Sequence, residues 1–443
     1  DNDYDGDGFD SAENGSGPDC NDTDEDIHPD AYEKFNRVDD DCDGDVDDNV
    51  PGWNSDVVIY GANASDEAGY ALTAADLDGD GLDELLIGSA GQDYGRGAVS
   101  VFTQDQIYGV GNDVEDAENY FRGSGSSDSL GTELSILSEF GTGGLHLAVG
   151  APGANSNKGA LYVIPGEDVL DGGDTDDAVL SVTGGDYYYV GRTLTHDLDL
   201  DGDGLNDLLG STSTSSSSSG AQPYQWLLYG DASGEYTINT VDAVFYASGA
   251  SDDAMMRSYS AAGDFDGDGR DDFIFCDPMP DIEETNGGAV WALWGQETQY
   301  STSSAEDMDS HADIISYGSQ FERYGTLCTV GEDMDGDGDA EVWVWNPGTA
   351  TLSALEGGPH VRDGDLDPED DALAIYEFST SDPDPVHIRP IGDWTGDGIS
   401  EIGIGVGTNS TPGQLWVIDG SLTGELSSGD TITTLSGDDE DPY

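Results

Sequence analysis

The stretch "DLDGDGLDELLIGSA" spans residues 76–90. Its first nine positions hold five acidic residues and two glycines, and an apolar run follows at once. The figure returns along the chain. "DLDGDGLND" begins at Asp199, "DFDGDGRDD" at Asp264, "DMDGDGDAE" at Asp333 and "DWTGDGISE" at Asp393. A degenerate copy, "SEFGTGGLH", begins at Ser138. From Asp76 onward the steps between copies are 62, 61, 65, 69 and 60 residues. Self-similarity at so steady a period marks a repeat architecture and outranks any local reading.

The flanks repeat with the loops. A short strand precedes each, as in "YALTAA" (70–75), and an apolar strand follows, as in "ELLIG" or "EVWVW". A third strand comes behind glycine, as in "GAVSVF" (97–102) and "GAVWALWG" (288–295). A fourth, more polar run completes the unit, as in "NYFRG" and "AVFYASG". Short β-rich runs between Gly, Asp and Ser turns read as strands. Four strands per repeat fit a blade of a β-propeller, which leaves only short, protected sheet edges. The expected fold is therefore all-β: a propeller of six to seven blades over residues 51–443, behind a small module at 1–50. The fourth-strand run occurs once more than the three-strand core. "DVVIYG" (56–61) comes before the first core and "TITTLSG" (431–437) after the last. Either the chain stops at the start of a seventh repeat, or one strand is spare and pairs with a neighbouring molecule by strand addition.

Composition narrows the function classes. The 443 residues include 95 Asp and Glu against 11 Lys and Arg, for a net charge of −84. A disordered acidic chain would share that balance, but not the 8 Trp, 21 Tyr and 11 Phe set in recurrent apolar runs. The charge is better explained by a folded chain whose carboxylates bind cations; salt adaptation would add charge without organising it into motifs. With no cluster of Lys or Arg, nucleic-acid binding through a basic patch is excluded. An anionic membrane surface is disfavoured, and no run of about 18 apolar residues offers a span. Asp1 is not an initiator methionine, so a processed or partial chain is expected. The four cysteines, Cys20, Cys42, Cys276 and Cys328, form no CxxC pair. Pairing of Cys20 with Cys42 is the simplest reading and suits an oxidising compartment. Cys276 and Cys328 fall on inner strands of adjacent repeats, where an inter-blade bridge or, more commonly, two buried thiols would fit.

The loop pattern D-x-D-G-D-G-x-x-D/E has a clear chemistry. Positions 1, 3 and 5 set three carboxylates on one side of a tight turn, position 7 offers its carbonyl, and position 9 closes the shell. An all-oxygen donor set selects a hard ion with six to eight ligands, calcium before magnesium. The expected ligands are Asp76, Asp78, Asp80, the Leu82 carbonyl and Glu84, then Asp199, Asp201, Asp203, Leu205 and Asp207. Asp264, Asp266, Asp268, Arg270 and Asp272 follow, and then Asp333, Asp335, Asp337, Asp339 and Glu341. The last set is Asp393, Thr395, Asp397, Ile399 and Glu401, weaker because position 3 is neutral. The copy at Ser138 carries Phe140 and Thr142 where carboxylates should be, and is expected to bind nothing. About five calcium ions would offset only about ten charges.

These motifs resemble the FG-GAP repeat of integrin α chains and of many bacterial surface proteins. Its "FG" position resembles "AGYAL" (68–72), "SLGTEL" (129–134) and "YVGRTL" (189–194). Its "GAP" resembles "GSA" (88–90) and stands intact at 150–152, while "CDP" (276–278), "WNP" (345–347) and "GVG" (405–407) depart from it. The resemblance implies calcium sites on one face of a propeller and extracellular adhesion or ligand recognition. Residues 1–50 have almost no apolar content and cannot build a core alone. They resemble an Asp/Cys-rich metal-binding motif of bacterial secreted proteins, similar in logic to thrombospondin type 3 repeats, through "DYDGDGF", "DCNDTDEDIHPDAYE" and "DDDCDGDVD". That motif often has a further cysteine where this chain has Phe35, which favours the simple Cys20–Cys42 pair. The resemblance offers Asp3, Asp5 and Asp7, with Asp39, Asp41, Asp43 and Asp45, as further ligands.

Three functions compete. The first is a secreted or surface-displayed calcium propeller, non-catalytic, that meets a protein or glycan at a cell surface. The second is a subunit of an extracellular fibre built from copies of the chain. The third is a lectin or hydrolase in which aromatic strands such as "VWALW" stack sugars, although alternation along a strand makes half of those side chains core. No GxSxG elbow, Walker loop or HExxH motif is present.

Overall fold

In the computed structural model the chain divides into two compact units, Asp1–Val58 with Leu435–Tyr443, and Ile59–Thr434. The structure describes residues 9, 19–21, 23, 27–29, 31 and 42 and most of 59–436. Within 59–436 the main stretches outside the description are 104–113, 213–223, 247–258, 278–286, 318–322, 335–338, 359–371 and 379–384. In the first unit Cys20 and Cys42 form a disulfide with Cα atoms 5.6 Å apart. Beside it the Phe9 ring stacks on His28 at 5.1 Å.

The described strands form six antiparallel sheets, one per repeat, and the fold is a six-blade propeller. Blade one has strands Ala68–Ala75, Glu84–Ser89, Ala98–Phe102 and Asn119–Arg122, paired in that order. Blades two to six begin at Leu134, Thr193, Tyr259, Leu327 and Pro385. The first strands of successive blades lie side by side from blade one to blade six. Each acidic loop joins the first two strands of its blade, with Ala75 opposite Glu84 and Leu198 opposite Asp207 where the turn closes.

The inner strands from blade two to blade six are largely buried on both faces, the first strand of blade one is partly exposed, and the core lies between blades. Leu137, Leu161 and Val182 of blade two pack with Leu208, Trp226 and Leu228 of blade three. Trp343 and Trp345 of blade five pack with Ile404 and Trp416 of blade six. This overturns the expectation that half the strand aromatics face outward. Trp291, Trp343 and Trp345 are at most 1 % exposed and Trp294 is 9 %, because each blade face has a neighbour. Close approach at these seams needs glycine. A Cβ on Gly88 would fall 2.2 Å from the Gly131 carbonyl oxygen, and one on Gly150 would fall 1.8 Å from that of Gly191. This is the physical content of the paired glycines in "GSA"/"SLG" and "GAP"/"YVG".

A fifth, parallel segment from the next blade covers the outer strand in four places. Gly173–Asp174 covers blade one, Gly234–Thr237 blade two, Glu306–Asp307 blade three and Gly424–Ser427 blade five. In blade six Thr431–Ser436 fills the fourth place. Of "DVVIYG" only Ile59, Tyr60 and Gly61 are described. Ile59 packs beside Phe102 and Val114, and the Tyr60 carbonyl accepts a hydrogen bond from the Val114 N–H at 2.9 Å.

Cys276 and Cys328 are joined, so the bridge between blades four and five is realised and the reading as two buried thiols is set aside. Cys276 ends the second strand of blade four and Cys328 lies in the first strand of blade five, close enough at that seam to bond. Replacing both by serine removes a cross-link over 52 residues. We expect a loss of about 2–4 kcal/mol of stability, read as a lower guanidinium midpoint.

A pH effect follows from Glu133, at the start of blade two. Burial pushes its carboxyl up to about 7, and Arg389 on the first strand of blade six pulls it back only in part. A folded-state value above the unfolded one contributes stability below the unfolded value of about 4.3 that is lost as pH rises through about 7. Thermal melting of Glu133→Gln should therefore fall less steeply than wild type between pH 4.5 and 7.5, with the two curves diverging as pH rises.

Candidate metal centres

The acidic loops are organised by their own backbone. At position 1 Asp76 accepts hydrogen bonds from the N–H groups of Gly79 and Gly81, at 2.7 and 3.0 Å. Asp199 accepts likewise from Gly202 and Gly204, and Asp264 from Asp268 and Gly269. At position 3 Asp78, Asp201 and Asp266 each accept from the amide two residues on. At position 5 Asp80, Asp203 and Asp268 do the same. The turn curls because positions 4 and 6 are glycines with left-handed backbone, φ 77° at Gly79 and 91° at Gly81.

Position 9 opens the second strand and is buried. Glu84, Asp207, Asp272 and Glu341 each accept from the amide of position 2, at 2.9, 2.8, 2.8 and 2.6 Å. The other oxygen of Asp207 and of Asp272 accepts from Gly230 and Gly295, behind the third strand. Each of these acids thus gives at least one oxygen to shaping the loop, and Asp76, Asp199, Asp264, Asp207 and Asp272 give both. Three carboxylates still converge in each: Asp76, Asp78 and Glu84; Asp199, Asp201 and Asp203; Asp264, Asp266 and Asp272. In every trio one oxygen per residue lies within 4.8 Å of the others.

Like charges so close, half out of water, are strained electrostatically. Burial pushes the Asp207 carboxyl up to about 8; hydrogen bonds from Leu200 and Gly230 oppose this, and the charges of Asp201 and Asp199 add to it. Burial also pushes Asp272 up to about 8, with Asp266 adding. Glu84 is raised by burial, and by Asp78 and Asp80, against the Leu77 and Asp78 amides. The chemistry of this donor set, hard oxygens with surplus negative charge in a preformed turn, fits a divalent cation.

Some expected ligands are placed and others are not described. Asp333, Asp339 and Glu341 of blade five, and Thr395, Ile399 and Glu401 of blade six, are described; Asp335, Asp337, Asp393 and Asp397 lie outside the described residues. So do Asp3, Asp5, Asp7, Asp39, Asp41, Asp43 and Asp45. The loop at Ser138 is shaped differently. Phe140 is buried and meets the His146 ring edge-on at 5.6 Å, and Glu139 caps the Gly144 amide at 2.9 Å. An aromatic pair stands where positions 3 and 9 would supply carboxylates.

Pattern reasoning missed position 8. The Asp271 carboxylate accepts from the Asp199 amide at 2.7 Å, and the Asn206 side chain accepts from Ser138 and from the Glu139 amide. Gln299 also donates to Asp201 at 2.7 Å. In each case the partner is on a neighbouring blade, 67–98 residues away, so the local motif carries no sign of it.

Replacing Asp201 or Asp266 by Asn should weaken divalent-cation binding at that loop at least about tenfold, with calcium as the probe, since ligand charge sets affinity in such sites. Isothermal titration should then count one tight site fewer than in wild type.

Two family models match stretches of this chain. Residues 68–102 match the FG-GAP repeat family, and residues 19–48 match the family described as "Putative metal-binding motif". A comparison with curated proteins returns no match. Among solved structures, the crystal structure of BBS1N in complex with ARL6DN, soaked with mercury, aligns over 83% of this chain and 80% of that one, at 8% identity and a TM-score of 0.41. The chain is thus a six-blade β-propeller that carries an FG-GAP repeat in its first blade, together with a metal-binding motif near its beginning.

Proposed function

We propose that the protein is a secreted or surface-displayed propeller, stabilised by calcium, that works by binding or assembly and not by catalysis. The observation that carries this reading is the preformed acidic loop, found between the first two strands of blades one, three and four with its carboxylates converging. A cation there turns mutual repulsion into attraction and holds two inner strands together, so that binding energy becomes folding energy. Two disulfides support an oxidising, extracellular setting. No helix among the described residues is long and apolar enough to cross a membrane. Burial of Trp291, Trp343 and Trp345 in the seams removes the aromatic strands that a sugar-stacking lectin or hydrolase would use. A surface protein or glycan is the partner this reading favours, met by loops on a rigid ring.

A second reading, the subunit of an extracellular filament, is favoured by the contact of Tyr60 with Val114. Tyr60 takes the place against blade one that a preceding blade's outer strand would hold, while Thr431–Ser436 already fills the outer place of blade six. One outer strand is then free to complete a neighbouring copy, giving a head-to-tail open assembly.

Sedimentation of the purified protein in millimolar calcium, and again after chelation, separates these readings. A monomer that loosens on chelation supports the calcium propeller. Large assemblies that fall to monomers when residues 1–61 or 431–443 are deleted support the filament. Size and fold both indifferent to chelator would overturn the calcium reading.

A further inference from the structure

We infer that cation binding is coupled between neighbouring blades, and that Asp271 and Arg270 are the positioning residues that couple the loop of blade three to that of blade four. The inference rests on the loops being cation sites, and adds that they do not fill independently.

The coupling is visible in the backbone. The position-2 residue of the loops in blades three and four faces two ways. The Leu200 N–H donates to Asp207 of its own loop at 2.8 Å, while its carbonyl accepts from the Gln296 N–H of blade four at 2.9 Å. Phe265 repeats this one blade on, donating to Asp272 at 2.8 Å and accepting from Gly358 of blade five at 2.6 Å. Position 1 is held in the same direction. The Asp199 carbonyl accepts from the Asp271 N–H at 3.2 Å, and the Asp264 carbonyl accepts from the Ala340 N–H at 3.1 Å. Between blades three and four the clamp is doubled, because the Asp271 carboxylate also accepts from the Asp199 N–H at 2.7 Å.

Side chains at position 7 follow the same path. Arg270 binds Asp268 of its own loop at 2.8 Å and lies over Gly202 of the preceding one, where a Cβ would sit 3.3 Å from its Cγ and Nε. Asp339 of blade five lies against Gly267 in the same way, with its Oδ1 1.7 Å from where a Cβ would be. Among the described residues no backbone hydrogen bond of this kind joins the loop 76–84 to blade two, so that loop is an internal control.

Fixing the loop 264–272 around a cation fixes Asp271 and Arg270, and through them the main chain at Asp199. The loop 199–207 then has less conformational freedom to lose when it binds, which is positive coupling without a change of shape. Repulsion between two cations opposes this, but it is screened by the carboxylates that hold them and by salt.

Hydrogen exchange of the full chain across a calcium series reads each loop separately. In wild type, peptides covering 199–207 and 264–272 should gain protection at a shared calcium midpoint. Asp264→Asn should raise the midpoint of 199–207 about fivefold or more. Asp271→Ala, which leaves every ligand in place, should do the same, and Asp271→Asn, which keeps an acceptor for the Asp199 N–H, should restore most of the effect. The midpoint of 76–84 should not move in any variant. An unchanged midpoint at 199–207 in both Asp264→Asn and Asp271→Ala would overturn the coupling while leaving the cation sites standing. Absence of calcium protection in all three loops of wild type would overturn both.

Discussion

Carboxylates that converge at the joint between the first two strands of blades one, three and four are the constraint on which the rest of this structure depends. Free in water such groups would separate. Here the turn holds them by drawing at least one oxygen of each to a backbone N–H, at distances of 2.6–3.2 Å. Glycine at positions 4 and 6 makes that curl available, and the buried acid at position 9 anchors it to the strand behind. What remains is a cup of oxygens with unbalanced charge. Blades one, three and four thus carry unbalanced negative charge at this joint, and a divalent cation is the simplest means of offsetting it.

Much of this was legible in the residues themselves. The spacing of the D-x-D-G-D-G motif led to the repeat, the repeat to the blade, and the blade to strands found at Glu84–Ser89, Asp272–Asp277 and Val342–Asn346. A local motif works here because its ligands are close in sequence and its turn is made by glycines with one conformational use. The number of blades was harder. Seven outer-strand runs left six or seven open, and only the pairing of Thr431–Ser436 into the last sheet fixes six among the described residues.

What stayed hidden lies between blades. Asp271 looks like a spare acid beside Asp272 until Asp199 is placed against it. The tryptophans of "VWALW" and "VWVW" sit in wholly apolar runs, and which neighbouring blade each one meets is not written in those runs. Cys276 and Cys328 fall on adjacent repeats, but the sequence does not decide between a bridge and two buried thiols. All three depend on the rotation from one blade to the next, a long-range property that no nine-residue window contains.

The seams also differ in kind. Between blades one and two, and two and three, Gly88 meets Gly131 and Gly150 meets Gly191. Between blades four and five Cys276 stands at the matching place, with its Cβ 3.4 Å from where one on Gly325 would lie, and that seam is closed covalently. Under tension a ring peels at its seams. A cross-link spanning 52 residues withholds roughly 180 Å of contour length from extension. A pulled molecule would therefore yield first at its glycine seams, while blades four and five remain as a locked pair.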